Sequence, residues 1–304
     1  MDLQNKFKGC LVGLACGDAV GTTLEFRRRG TFEPITDMVG GGPFKLQAGQ
    51  WTDDTSMALC LAHSLLHKNG FDAVDQMNRY CNWYQHGYLS STGECFDIGT
   101  TVASALNLYL KTGNPFSGST DERSSGNGAL MRLAPIPIFY HGDIKNLIHY
   151  AGESSRTTHG SAECIDASNY FASLIFKAFS ANKKSDLLET FYRPTSAKVI
   201  AISRGDYLKL SYEQLTGSGY VIESLESALW CFHNSSNFRD AILLASNIGN
   251  DADTTAAICG QIAGAFYGYE AIPKTWRDCL YECDEIATLA IKLGSLKQKV
   301  ELEI

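Results

Sequence analysis

The chain has 304 residues, of which 44% are apolar and 19% charged, and its net charge is −7. That apolar content excludes disorder as the main state. The acidic balance excludes bulk nucleic-acid binding and docking on an anionic membrane, since both need a basic face.

Residues Met1 to Lys6 lack the apolar stretch of a secretory leader. The first helical pattern follows, with Phe7, Cys10, Leu11, Leu14 and Ala15 recurring at three and four. Gly40-Gly41-Gly42-Pro43 then breaks the chain before Trp51. Met57, Leu61, Leu65 and Leu66 mark a second helix, and Val74, Met77, Tyr80, Cys81 and Tyr84 a third. Val102 to Leu110 repeats the pattern. Thr112 to Asn127 is a loop rich in Gly, Ser, Thr and Asn. Helical spacing returns over Ile165 to Phe179, over Leu225 to Phe232 beyond the small-residue loop Thr216 to Gly219, and over Ile286 to Leu293. The best short strand candidate is Val199 to Ile202. Ala256 to Tyr267 is the most apolar stretch, too short to span a bilayer and interrupted by Gln261. No linker or fixed-period repeat divides the chain. These patterns predict an all-α fold of roughly a dozen helices in one compact domain over residues 1–304. The ten cysteines form no CxxC pair and sit mostly in apolar helical patterns. They read as buried free thiols of a cytoplasmic protein. Trp51, Trp83, Trp230 and Trp276 read as core or cleft wall, and His63 and His67 as residues of a helix surface.

Two loops far apart carry the chemistry. Trp51-Thr52-Asp53-Asp54-Thr55 precedes the helix Ser56 to Leu66, and Gly249-Asn250-Asp251-Ala252-Asp253-Thr254-Thr255 precedes Ala256 to Tyr267. Capping and the helix dipole account for one acid at each helix start. They do not account for two, because neighbouring like charges repel. A cation does. The candidate ligands are hard oxygens, with no His or Cys at a ligand spacing, which argues against zinc and for Mg²⁺, Mn²⁺ or Ca²⁺. Asp53, Asp54, Asp251 and Asp253 carry the charge that two divalent cations neutralise, so convergent loops would form a binuclear site.

An ordered series of motifs extends this picture. Gly9 to Gly21 is followed by Glu25, the Trp51 to Thr55 loop, Phe96-Asp97-Ile98-Gly99-Thr100-Thr101, and Ser124-Ser125-Gly126-Asn127-Gly128-Ala129-Leu130-Met131-Arg132. Thr157-Thr158-His159-Gly160, Gly219-Tyr220-Val221 and Asn250-Asp251-Ala252-Asp253-Thr254 complete it. Over most of its length the chain resembles the ADP-ribosylglycohydrolases, the family of the dinitrogenase-reductase-activating glycohydrolase and the ADP-ribosylarginine hydrolases. The resemblance implies an all-α globule with two Mg²⁺ or Mn²⁺ ions in a cleft, held at Thr52, Asp53, Asp54, Asp251, Asp253 and Thr254. It implies that these ions hold the distal ribose hydroxyls and a water beside the anomeric carbon. Asp53 or Asp54 steers or deprotonates that water.

Glu25 and Asp97 are the further acid/base candidates. Their plainer readings are a solvated carboxylate past a helix for Glu25 and an N-cap of the helix from Thr100 for Asp97. Asp97 is also the carboxylate expected to face a guanidinium. By resemblance, Ser124, Ser125, Gly126, Asn127 and Gly128 form a diphosphate cradle, with Gly99 also in the substrate-binding set. His159 lies near the phosphates or distal ribose, and Tyr220 stacks on adenine. Loops Phe26 to Leu46 and Leu89 to Cys95 are expected to build the side facing the modified protein. The implied activity is release of ADP-ribose from a modified protein side chain, arginine first. The alternatives are another linkage (serine, O-acetyl-ADP-ribose or a nucleic-acid adduct) and a non-catalytic ADP-ribose-binding or structural member.

Overall fold

The computed structural model describes residues 2–295. Its helices are α1 (Leu3–Gly21), α2 (Asp53–Lys68), α3 (Ala73–His86), α4 (Thr100–Thr112), α5 (Pro135–Phe139), α6 (Ile144–Arg156) and α7 (Ala162–Ala178). They continue with α8 (Ala197–Ser203), α9 (Val221–His233), α10 (Phe238–Ser246), α11 (Ala252–Tyr267), α12 (Lys274–Cys279) and α13 (Cys283–Ser295). Short 3₁₀ turns and isolated bridges, such as Glu25 with Asn250 and Gly126 with Tyr220, complete the regular structure among the described residues.

Glycine recurs every fourth residue along α1, at Gly9, Gly13, Gly17 and Gly21. Residues four apart share one helix face, so this face has no side chains. α11 lies directly against it. A Cβ at Gly13 would stand 2.4 Å from the Gly260 carbonyl oxygen, and one at Gly17 2.1 Å from that of Ala256. Gly9 meets Gly264 and Gly21 meets Ala252, so the two helices run antiparallel with backbones in contact. This packing sets the start of α11, with Asp251 and Asp253, beside the end of α1, with Asp18 and then Glu25.

The core around this pair includes Leu11, Leu14, Phe171, Leu225, Phe232 and Ile262. A smaller cluster of Met57, Met77, Tyr80, Trp83 and Leu106 joins α2, α3 and α4. Trp51, Trp83 and Trp276 are buried, and Trp230 is half-buried. All ten cysteines are free. No helix among the described residues is long and apolar enough to cross a membrane.

The strand expected at Val199 to Ile202 is instead the middle of α8. Ser196 caps that helix by accepting from the Val199 N–H, and the buried residues Val199 and Ile202 are three apart. The β-branched composition suggests a strand, but burial follows the helical period. α5, α6, α10 and α12 are not among the expected helices. Three are short, and α6 buries Leu147 with Ala151, Gly152, Ser154 and Ser155, a face with little apolar signal.

Candidate active site

Asp18 organises the start of α2 from a different helix. Its Oδ1 accepts from the backbone N–H and the hydroxyl of Thr52, each at 2.9 Å. Its Oδ2 accepts from the N–H of Thr55 at 3.0 Å and its hydroxyl at 2.6 Å. Thr52 holds the N-cap position but makes no capping bond through its own side chain. Asp53 and Asp54, in the first turn, are thereby left free of that duty. At α11 the N-cap residue Asp251 also makes no capping bond. Its Oδ2 accepts from Asn127 Nδ2 at 2.7 Å.

The two loops converge. Carboxylate oxygens of Asp18, Asp54 and Asp253 lie within 4.8 Å of one another, as do those of Glu25, Asp97 and Asp253. The Thr52 hydroxyl is 3.3 Å from Asp54 Oδ2 and 3.4 Å from Asp253 Oδ2, and the Thr254 hydroxyl is 3.4 Å from Asp54 Oδ2. Glu25 is 3% exposed, which removes the solvated reading. It is held by backbone pairing across the loops, from Phe26 N–H to Asn250 O and from Asn250 N–H to Arg27 O, both 2.7 Å. Asp97 does not cap α4, because Gly99 occupies the N-cap. Asp97 has φ 60°, a left-handed conformation that Asp tolerates better than most side chains.

Burial, and then neighbouring carboxylates, push Glu25 up to about 10. Burial raises Asp97 to about 7 and Asp18 to about 6. Asp53, Asp54 and Asp253 are held well above the usual carboxylate range, first by burial and then by their acidic neighbours. Glu25 Oε2, Asp54 Oδ1 and Asp253 Oδ1 are buried without a hydrogen-bond partner. Unpaired buried oxygens of this kind are costly, and a hard divalent cation is the counter-charge their chemistry fits. His63, half-buried, and His67, exposed, belong to the α2 flank.

Glu25, Asp53, Asp97, Asp251 and Asp253 of this cluster floor a cleft of about 780 Å³, walled by residues 99–102, 126–128 and 217–219 with His159, and Asp18 and Asp54 lie buried beneath it. The family model for ADP-ribosylglycohydrolase matches residues 1–303. The chain belongs to the ADP-ribosylglycohydrolase family. It is 43% identical over 289 residues to ADP-ribosylarginine hydrolase Tri1 of Serratia proteamaculans, covering 95% of this chain and 79% of that protein. It is 42% identical over 297 residues to the protein of the same name from Pseudomonas putida, covering 98% and 80%. A solved structure of an ADP-ribosylglycohydrolase-related protein complex matches with a TM-score of 0.84 and 38% identity, over 97% of this chain and 98% of that one.

Within this ADP-ribosylglycohydrolase cleft, Gly99 stands at the open start of α4, where an added Cβ would meet nothing within 4 Å. Gly126 and Gly128 make room for the His159 ring, since a Cβ at Gly128 would lie 2.7 Å from its Cε1. The Asn127 amide donates to Asp251 and, at 2.9 Å, to the Ser224 hydroxyl, so it orients a carboxylate of the second loop. Ser125 is buried with its hydroxyl on Ser161 at 2.8 Å, and the Ser124 hydroxyl donates to Asp121 O at 2.6 Å. Neither lines the cleft, and nor does Tyr220. The Tyr220 hydroxyl donates to Glu163 Oε2 at 2.5 Å, with Lys198 Nζ 4.9 Å from the ring centroid. Phe26, 69% exposed, lines the cleft. It stands 6.3 Å from Phe44, which is 5.1 Å from Phe96, centroid to centroid. Sequence reasoning gives Asp18 no role of its own. Its signal is that it is the sole acid in α1, a helix buried from Gly9 to Gly21.

Proposed function

We propose that this chain hydrolyses the N-glycosidic bond between ADP-ribose and an arginine side chain of a modified protein, in the cytoplasm. Two divalent cations, Mg²⁺ or Mn²⁺, would be held by Thr52, Asp53, Asp54, Asp251, Asp253 and Thr254. The observation that carries the reading is the buried carboxylate cluster with unpartnered oxygens at the floor of an ADP-ribosylglycohydrolase cleft. The names of the two bacterial relatives favour arginine as the linkage.

Bound cations supply positive charge for binding sugar hydroxyls and make a water more acidic. The chain's own groups do the rest. Asp53 lines the cleft, whereas Asp54 is fully buried near the Thr52 and Thr254 hydroxyls. On this reading Asp53, which lines the cleft, orients the attacking water and takes its proton. The surrounding carboxylates favour the positive charge that develops on the sugar. Asp97, with Glu25 beside it, presents oxygen acceptors to the guanidinium. The exposed ring of Phe26 gives the same cation an aromatic face.

The test is ADP-ribose release from two model proteins, one modified on arginine and one on serine, each assayed with Mg²⁺, with Mn²⁺ and with EDTA. Cation-dependent release from arginine alone is expected. Release from serine only would keep the chemistry and replace the substrate. Binding of ADP-ribose without release from either would make the chain a reader instead.

A further inference from the structure

The motif 124–132 ends in Arg132, which is 1% exposed and has no carboxylate within ion-pair distance among the described residues. Its guanidinium lies 4.8 Å from the Tyr80 ring centroid. Its Nη2 donates to Thr158 Oγ1 at 2.7 Å and to Ser154 O at 3.2 Å. Arginine has no acceptor, so the direction of the Thr158 bond is fixed. Thr158 Oγ1 is also 2.9 Å from His159 Nδ1. A hydroxyl carries one hydrogen, and among the described residues Thr158 has no other acceptor for it. Leaving a buried hydroxyl hydrogen without an acceptor is costly. The economical arrangement runs one way, from Arg132 to the Thr158 oxygen and from the Thr158 hydrogen to Nδ1. The ring proton then sits on Nε2, which has no hydrogen-bond partner among the described residues, on a ring that lines the cleft.

We infer that Arg132 and Thr158 are positioning residues that lock His159 in the tautomer protonated on Nε2, making it a fixed hydrogen-bond donor to an oxygen of ADP-ribose bound in the cleft. Burial, with the charge of Arg132 adding to it, holds the imidazole down to about 3, so the ring stays neutral across the working range. The identity of the acceptor rests on the function proposed above. The tautomer does not, because protein groups alone set it.

The experiment is ¹⁵N NMR of the histidine-labelled protein, with the His159 signals assigned by their loss in His159→Gln. The wild type is expected to show a protonated Nε2 and an unprotonated Nδ1. Thr158→Val removes the donor and should leave the ring free to exchange between tautomers, seen as averaged nitrogen shifts. It should also weaken ADP-ribose binding, measured by calorimetry, by roughly three- to tenfold, the range for one hydrogen bond. Thr158→Ser should restore both readouts. A wild-type spectrum with the proton on Nδ1 overturns the inference, whether or not the valine variant folds. So does a folded Thr158→Val with unchanged tautomer and affinity. If the wild type fails to bind ADP-ribose, the functional reading and the named acceptor fall, and the nitrogen shifts still decide the tautomer.

Discussion

Asp18 in α1 accepts both the backbone N–H and the hydroxyl of Thr55 in α2, at 3.0 and 2.6 Å. One buried carboxylate thus caps a helix it does not belong to, and it does so inside the acidic cluster. Removing it as Asp18→Ala strips the buried N–H groups of Thr52 and Thr55 of their acceptor. Each such loss costs about 1–3 kcal/mol, so a destabilisation of roughly 3 kcal/mol is expected with Mg²⁺ present. Asp18→Asn should lose less. Urea unfolding measures both, and a loss below about 0.5 kcal/mol for the alanine variant would refute the capping role.

The α1–α11 contact leaves no room at Gly17, where a Cβ would lie 2.1 Å from the Ala256 carbonyl oxygen. Backbone cannot rotate away as a side chain tip can. Gly17→Ala should therefore lower the thermal midpoint sharply or prevent folding. Gly99→Ala meets nothing within 4 Å and should cost at most about 1 kcal/mol, the difference between glycine and alanine at an N-cap. Because Gly99 lines the cleft, that variant should instead show its effect in KM. Comparable melting of the two variants would mean that the helices are not in backbone contact.

The fold class and the paired acids at two helix starts were legible because their signals are local, whereas the convergence of the two loops entered only as a condition. Met57, Leu61 and Leu65 repeat on one face, and paired acids at a helix start demand a counter-charge. Long-range partners were not legible. Asp18 acts on Thr52, 34 residues away, and Asn127 acts on Asp251, 124 residues away. An acid or amide in the sequence does not say which distant group it will meet. The glycine stripe of α1 is visible as a spacing of four, but a bare face carries no apolar signal until its partner helix is known. The short strand expected at Val199 failed because β-branched residues close together carry no information on which side is buried.

Metal removal and pH should act together. Without a cation, the folded-state pKa of Asp97 is raised by burial to about 7, and that of Glu25, by burial and then by Asp97, to about 10. In the unfolded chain both are about 4. The folded state then binds more protons than the unfolded one above that pH, so stability falls as pH rises. The contribution is fully present below about pH 4, and is lost through pH 7 for Asp97 and through pH 10 for Glu25. In EDTA the thermal midpoint should drop steadily from pH 5 to pH 8, and saturating Mg²⁺ should flatten the trend. Parallel curves with and without the metal would argue that these carboxylates do not serve a cation.

Asp97→Asn separates chemistry from folding. Asp97 sits at φ 60°, a conformation asparagine accepts as well as aspartate, so the backbone is not strained by the change. The substitution also removes a charge from a cluster in which Asp97 raises Asp53 and Asp253. Stability should hold or rise in the metal-free protein. Activity should not survive. An amide cannot pair with a guanidinium as a carboxylate does, nor can it exchange a proton with Glu25 beside it. A fall in kcat of roughly 10²–10⁴ on the arginine-modified protein is expected, the range for a lost acid/base group. ADP-ribose affinity should stay close to the wild type, because Asp97 is proposed to face the leaving side chain. A variant with kcat/KM near that of the wild type would exclude Asp97 from the reaction and return the role to Glu25 alone.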